Sequence, residues 1–99
     1  KWVLHGFNGS SQLIAQLLQQ GFYFSVGGLL LQREAKITKN LQKIPLDRLF
    51  LETDESEYPI EEIYQKAAQL LKLELNPLKV QLEHNLKLLF EENWQIKNQ

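Results

Sequence analysis

Short apolar runs that end at polar residues or at glycine indicate three buried β-strands along the chain. The first run begins at Trp2 and stops at His5, and the second is bounded by Gly21 and Gly27. The third begins at Leu49 and leads into a polar stretch. Runs of this kind are typical of parallel strands that are covered on both faces. The predicted strands cover residues 2–5, 22–26 and 49–53.

Apolar residues at helical spacing predict four helices, one after each of the three strands and one more at the end. Ser10 and Ser11 are good N-caps for the first helix, and Pro59 suits the first turn of the third. The predicted helices cover about residues 11–20, 34–44, 59–71 and 76–90. Residues 91–99 show little pattern, so we expect a loosely held tail after a domain at residues 1–90.

The order of these elements predicts parallel β/α units with right-handed crossovers and strands side by side in the order 1-2-3. The predicted strands begin near residues 2, 22 and 49. This spacing is close to the roughly 30 residues per unit of an eight-fold (β/α)8 barrel. A doubly wound parallel sheet has units of similar length. The spacing therefore indicates an α/β fold without choosing between the two architectures.

Composition limits the chemistry that this single domain can carry. The 99 residues have a formal net charge of −1, so any nucleic acid must be met at a local site rather than by an overall basic field. The absence of cysteine excludes disulfides, zinc ribbons and thiol nucleophiles, and it is compatible with a cytoplasmic location. No apolar run is long enough to cross a membrane. Because the chain contains no methionine and begins with Lys1, we expect it to be a piece of a longer protein.

His5 and Asp54 both lie at or just past the carboxyl end of a predicted strand. Ligands of parallel α/β proteins bind at that end of the sheet, so the two side chains are expected at one mouth. An imidazole and a carboxylate together suit Zn, Mn or Mg. A chance pairing of two unrelated residues explains the same spacing, and the spacing alone does not decide between these readings.

Four segments of the chain resemble the TatD-type metal-dependent hydrolases, which are (β/α)8-barrel enzymes that include deoxyribonucleases. One segment is the first strand with its His5 and the turn that follows, and a second is the aromatic strand that ends in Ser25, Val26 and two glycines. The most specific segment ends in Glu52, Thr53 and Asp54. The four segments cover residues 3–10, 22–28, 44–54 and 85–90.

The resemblance implies that the chain forms the three C-terminal β/α units of such a barrel, with an extra C-terminal helix. It implies that His5 is a metal ligand, and that Asp54 is a metal ligand and the catalytic residue that orients or deprotonates the attacking water. The implied reaction is hydrolysis of phosphodiesters, with DNA as the substrate of the full-length protein. The family's other ligands belong to strands that this chain lacks, so we expect the piece to hold its metal weakly and to be inactive alone.

Residues around the two implied ligands are candidates for supporting roles. Glu52 and Thr53 could orient a ligand, although Glu52 could equally form a structural salt bridge. Asn8 and Tyr58 could contact substrate, although turn formation and packing at the start of a helix explain them as well. His84 falls within the last predicted helix, where it is expected to face solvent.

Two other interpretations remain open. A stand-alone half-barrel could serve as a binding or assembly module without hydrolysis. A small flavodoxin-like domain would need a phosphate-binding loop after the first strand, and the turn at residues 6–9 lacks the longer glycine-rich spacing of such loops. A half-barrel of three parallel strands, whether it is part of an enzyme or a binding module, leaves two sheet edges and an apolar inner face exposed. Such an exposed surface favours a homodimer.

Overall fold

A parallel β-sheet of four short strands forms the centre of the computed structural model, which describes residues 1–53, 57–92 and 95–98. The strands are β1 (Trp2–His5), β2 (Tyr23–Val26), β3 (Leu49–Leu51) and β4 (Gln95–Asn98). They lie in the order β3-β2-β1-β4, and every neighbouring pair is parallel. The predicted parallel α/β architecture and the adjacency of the first three strands are therefore confirmed.

Four α-helices follow the strands: α1 (Ser11–Gln19), α2 (Lys36–Asn40), α3 (Ile60–Leu71) and α4 (Leu75–Glu92). The helix predicted at residues 34–44 is shorter than expected, because α-helical geometry ends at Asn40 and a 3-10 turn over Leu41–Lys43 follows it. Asn40 adopts φ −123° and ψ 7°, and its side-chain amide donates to the carbonyl of Lys36. Further 3-10 turns lie at Gly28–Leu31 and Leu46–Arg48.

Helices cover both faces of the sheet, and α4 contributes to both layers, since its Leu78 and Leu82 belong to the main core. One face forms the main core, in which strand residues such as Leu4 and Phe24 pack with Ile14 of α1 and Ile63 of α3. The opposite face presents Val3 and Phe50, and it packs against Leu88 and Leu89 of α4. Because successive side chains of a strand point to opposite faces, each strand contributes to both layers.

Asn85 fastens α4 to the beginning of β3. Its side chain is buried, and its Nδ2 donates to the carbonyl oxygens of Leu46 and Leu49 at 2.7 and 2.8 Å. Its Oδ1 accepts a hydrogen bond from Gln81 Nε2 at 3.0 Å. A buried amide with satisfied hydrogen bonds fixes the position of a helix more specifically than apolar packing does.

The segment for which the sequence predicts a loosely held tail, residues 91–99, contains the end of α4 and a short strand. Helix α4 extends to Glu92, and β4 pairs with all four residues of β1, from Trp2 with Gln95 to His5 with Asn98. The ammonium of Lys1 lies 2.9 Å from Glu92 Oε2, and this hydrogen bond raises the pKa of Lys1. The contact holds the end of α4 beside the start of β1, where the chain can continue along the strand. Such pairing joins backbone groups and needs no apolar pattern, so no pattern in the sequence predicts it.

Strand β4 changes which strands form the two edges of the sheet. The outer side of β1 is paired in the structure, and β3 and β4 are the outermost strands.

No helix among the described residues is long and apolar enough to span a membrane.

The hydrogen bonds of Asn85 generate a prediction about stability. Asn85→Ala should lower the free energy of unfolding by about 2 kcal/mol or more, because two carbonyls lose their buried donor and a void is left. Gln81→Ala is the matched control on the same helix, and it should cost about 0.5 kcal/mol, since Gln81 is only partly buried. Urea unfolding followed by circular dichroism measures both changes. Equal losses in the two variants would contradict a special role for the buried amide.

Candidate functional site

The carboxyl ends of β1, β2 and β3 bring three polar residues to one end of the sheet. His5 is the last residue of β1, Ser25 lies in β2 and Glu52 directly follows β3. Parallel pairing of β1 with β2 and of β2 with β3 aligns these ends. The side chains of His5 and Glu52 are 31% and 18% exposed, so the pair lies at a rim that solvent can reach.

The carboxylate of Glu52 contacts both the His5 ring and the turn after β1. His5 Nδ1 lies 2.6 Å from Glu52 Oε2, and Glu52 Oε1 accepts a hydrogen bond from the Gly6 N–H at 2.9 Å. Gly6 has a φ of 66°, a left-handed conformation that glycine adopts without strain. When the imidazole is neutral, a carboxylate acceptor selects the tautomer with the proton on Nδ1. An imidazole oriented in this way coordinates metals through Nε2.

Gly27 allows the end of β3 to approach the neighbouring strand closely. A Cβ atom at Gly27 would lie 3.0 Å from the carbonyl oxygen of Glu52 and 3.5 Å from its Cγ. The backbone N–H of Glu52 donates to the carbonyl of Val26 at 2.9 Å, which extends the pairing one residue beyond β3. The small residue and this hydrogen bond together place the Glu52 side chain within reach of His5.

A cavity of about 190 Å³ lies beside the pair, on the face of the sheet that contains Val3 and Phe50. Ser25 adds a hydroxyl to its lining, and Val3, Phe50 and Leu89 make most of the wall apolar. The arrangement joins an oriented imidazole and a carboxylate to an apolar floor. Such a site can hold a ligand's polar group at the rim and exclude water beneath it.

The predicted site residues fall into different environments. Glu52 contacts His5, a pairing that the sequence did not predict, whereas Asp54, which the sequence places at the mouth with His5, lies outside the described residues. Thr53 is exposed, and Tyr58 is 39% exposed shortly before α3. Asn8 accepts a hydrogen bond from the Ile37 N–H at 3.0 Å, so it caps the start of α2 across 29 positions of sequence.

Among the described residues, no group of three or more His, Cys, Asp or Glu side chains could hold a metal ion. His84 is exposed on α4, as the sequence predicted. Ser25 was not among the predicted site residues. Its signal was a serine in a strand of aromatic and aliphatic residues, and only the pairing of the strands shows that it lies between His5 and the end of β3.

Replacing the Glu52 carboxylate by an amide should switch the tautomer of His5. In Glu52→Gln the side-chain oxygen remains the acceptor for Gly6 N–H, so the NH₂ group faces Nδ1, and the neutral ring must carry its proton on Nε2. Nitrogen-15 NMR of the imidazoles at a pH where they are neutral measures this switch. His84 is the internal control and should not change. Retention of the Nδ1–H tautomer by His5 would contradict the orienting role of Glu52.

The chain is similar to a family of DNases and to several metal-dependent hydrolases. Residues 1–91 match the family model described as TatD related DNase. An uncharacterized metal-dependent hydrolase of Buchnera aphidicola is 42% identical over 55 residues, which is 54% of this chain and 21% of that protein. The uncharacterized metal-dependent hydrolase YjjV of Escherichia coli is 39% identical over 59 residues, which is 59% of this chain and 23% of that protein. The matched segments thus span about a fifth of these curated relatives.

Two solved structures share the fold. A TatD family hydrolase from Entamoeba histolytica superposes with a TM-score of 0.75 at 19% identity, and the match covers 87% of this chain and 40% of that one. The E. coli TatD homologue YjjV superposes with a TM-score of 0.73 at 26% identity, covering 86% of this chain and 38% of that one. The resemblance seen in the sequence is confirmed by the family match over most of the chain, and the chain belongs to the TatD-related DNase family.

Proposed function

We propose that this chain forms three β/α units of a TatD-type (β/α)8 barrel and supplies the His5 and Asp54 side of its metal centre. The observation that carries the proposal is the contact of 2.6 Å between His5 Nδ1 and the Glu52 carboxylate at the carboxyl ends of the strands. A histidine that ligates a metal commonly donates its other ring N–H to a carboxylate. The family and the curated relatives are named as metal-dependent hydrolases or DNases, which supports the same chemistry.

The described residues fit one part of such a centre. They supply one imidazole, oriented by Glu52 and by the Gly6 turn, and catalytic zinc sites usually have three protein ligands. We assign Asp54 as a second ligand and as the group that orients or deprotonates the attacking water, and the remaining ligands to the rest of the barrel. A bound Zn, Mn or Mg would supply a water of lowered pKa and offset negative charge on a phosphoryl oxygen.

Within this proposal, the substrate of the whole protein is DNA and the bond that breaks is a phosphodiester. The family description supports DNA, and the formal net charge of −1 assigns recognition to a local site. Tyr58, exposed shortly before α3, suits contact with a base, and Thr53 at the mouth suits orientation of a ligand. Asn8 is a weaker candidate for substrate contact, because its side-chain oxygen caps α2.

The alternative function is a half-barrel binding or assembly module without hydrolysis. The observation that favours it is the coverage of the sheet by this chain alone. Leu88 and Leu89 of α4 pack on the face that contains Val3 and Phe50, and β4 pairs with the outer side of β1. The two functions differ in one requirement, since only the hydrolase needs His5 to bind a metal.

Metal binding by the isolated chain tests the ligand assignment. Two ligands leave an ion mostly hydrated, so Zn or Mn should bind weakly, and hydrolysis of bis(p-nitrophenyl) phosphate should stay near background. Substoichiometric Mn should broaden the NMR signals of His5 before those of exposed His84, and His5→Ala should abolish the preference. Equal broadening of both histidines would contradict a site at His5. A tight stoichiometric site in calorimetry that is lost in His5→Ala would show that a single chain completes the shell.

A chimera tests the reaction itself. In it, this chain replaces the matching segment of the E. coli relative YjjV, and cleavage of DNA is measured with added Mn or Zn. His5→Ala and Asp54→Ala should each lower the rate at least about 100-fold, because they remove ligands rather than their supporting groups. His84→Ala is the matched control and should leave the rate unchanged. A folded chimera that cleaves DNA equally well without His5 would overturn the proposed function.

A further inference from the structure

Ser25 carries a hydroxyl that the fold does not use. The residue lies in β2 between Phe24 and Val26, and it is only 6% exposed. Its carbonyl oxygen accepts a hydrogen bond from the Phe7 N–H at 2.9 Å, whereas its hydroxyl has no hydrogen-bond partner among the residues that the structure describes. Buried polar side chains nearly always have a partner, so a hydroxyl without one needs a physical explanation.

The strand register places this hydroxyl beside the histidine of the site. Leu4 of β1 pairs with Phe24 of β2, so His5 lies opposite Ser25, and Ser25 in turn pairs with Phe50 of β3. Side chains that are opposite each other on neighbouring strands point to the same face, and the strands lie about 4.8 Å apart. Strand β2 has a neighbouring strand on each side within this chain, so the placement of Ser25 depends on described residues alone.

The other polar side chains of the cavity lining already have partners. Ser25, His5 and Glu52 all line the cavity of about 190 Å³, together with apolar residues. One oxygen of Glu52 contacts His5 Nδ1 and the other accepts from the Gly6 N–H. The Ser25 hydroxyl is thus available to a ligand that enters the cavity, next to an imidazole whose orientation is fixed.

We propose that Ser25 is a substrate-binding residue whose hydroxyl donates a hydrogen bond to a phosphoryl oxygen of the substrate. This inference rests on the proposed function, which brings a phosphodiester to the metal centre at His5. A phosphoryl group carries several oxygens, so it can be held at the metal centre and at the neighbouring hydroxyl together. A hydrogen bond to an anionic oxygen is stronger than one between neutral groups.

Ser25→Thr and Ser25→Val are a matched pair of variants for testing this contact. The two replacements have nearly the same shape and suit a β-strand, and only threonine keeps the hydroxyl. The cavity beside Ser25 leaves room for the added atoms. Ser25→Ala removes the hydroxyl without adding volume, so it provides the same test if the branched side chains disturb the fold.

Urea unfolding of this chain measures whether the hydroxyl supports the fold. Ser25→Val should have a urea midpoint at least as high as that of Ser25→Thr, because the hydroxyl has no protein partner to lose. Ser10→Ala is the control for a hydroxyl that the fold uses, since Ser10 Oγ accepts from the Leu13 N–H at 3.2 Å, and its midpoint should fall. A lower midpoint for Ser25→Val than for Ser25→Thr would assign the hydroxyl to structure and contradict the inference.

Binding of inorganic phosphate measures the proposed contact directly. The protein is the Mn-loaded chimera with the E. coli relative YjjV, and calorimetry gives the dissociation constant. Ser25→Val and Ser25→Ala should each weaken phosphate binding at least about tenfold, because a hydrogen bond to a charged group is lost. Ser25→Thr keeps the donor and should stay within about threefold of the unaltered chimera. Equal affinities in Ser25→Thr and Ser25→Val would overturn the inference.

His5→Ala in the same chimera separates this inference from the proposed function. If His5→Ala weakens phosphate binding and the Ser25 variants do not, the metal centre stands and the role of Ser25 is wrong. If the Ser25 pair differs as expected while His5→Ala keeps its affinity, the Ser25 contact stands and the assignment of His5 as a ligand is wrong. Unchanged affinity in every variant would overturn both.

Discussion

A parallel sheet must be covered on both faces, and this requirement organises the whole structure. Helices α1 and α3 pack against the face that contains Leu4 and Phe24. Helix α4 adds Leu78 and Leu82 to the same core, and near its C-terminal end Leu88 and Leu89 pack against Val3 and Phe50 on the opposite face. The anchor for this second layer is Asn85, whose amide is bonded to two carbonyls where the chain enters β3. The site at the other end of the strands depends on this frame, because the frame fixes how the strand ends align.

The contact between His5 and Glu52 at the mouth depends on the alignment of the strand ends more than on the burial of the two side chains. Glu52 uses one oxygen for His5 and the other for the Gly6 N–H, so the carboxylate connects the ends of β3 and β1 across the intervening β2. Gly27 at the end of β2 leaves the space for that connection. A change of register by one residue would turn His5 towards the opposite face and remove the contact. The orientation of the imidazole is thus a property of three strands together.

The edges of the sheet must also be covered, but by groups that differ from those that cover its faces. Faces are covered by apolar side chains, whereas an edge is covered by backbone hydrogen bonds. For this reason β4 can complete β1 although its segment, Gln95–Asn98, carries no apolar pattern. The sheet is extended by residues beyond the family match, which ends at residue 91.

The sequence by itself determined the order of strands and helices, the parallel α/β class, the family and the placement of His5 at a strand end, since these depend on local periodicity and short motifs. It also named Glu52 as a residue that could support the implied ligand Asp54 or form a salt bridge. Tertiary structure alone decided which oxygen of Glu52 meets His5, that Asn8 caps α2 and that β4 pairs with β1. Each of these contacts joins residues far apart in the chain through polar or backbone groups. Such groups leave no periodic signal in the sequence, because their partners are fixed only when the strands and helices pack.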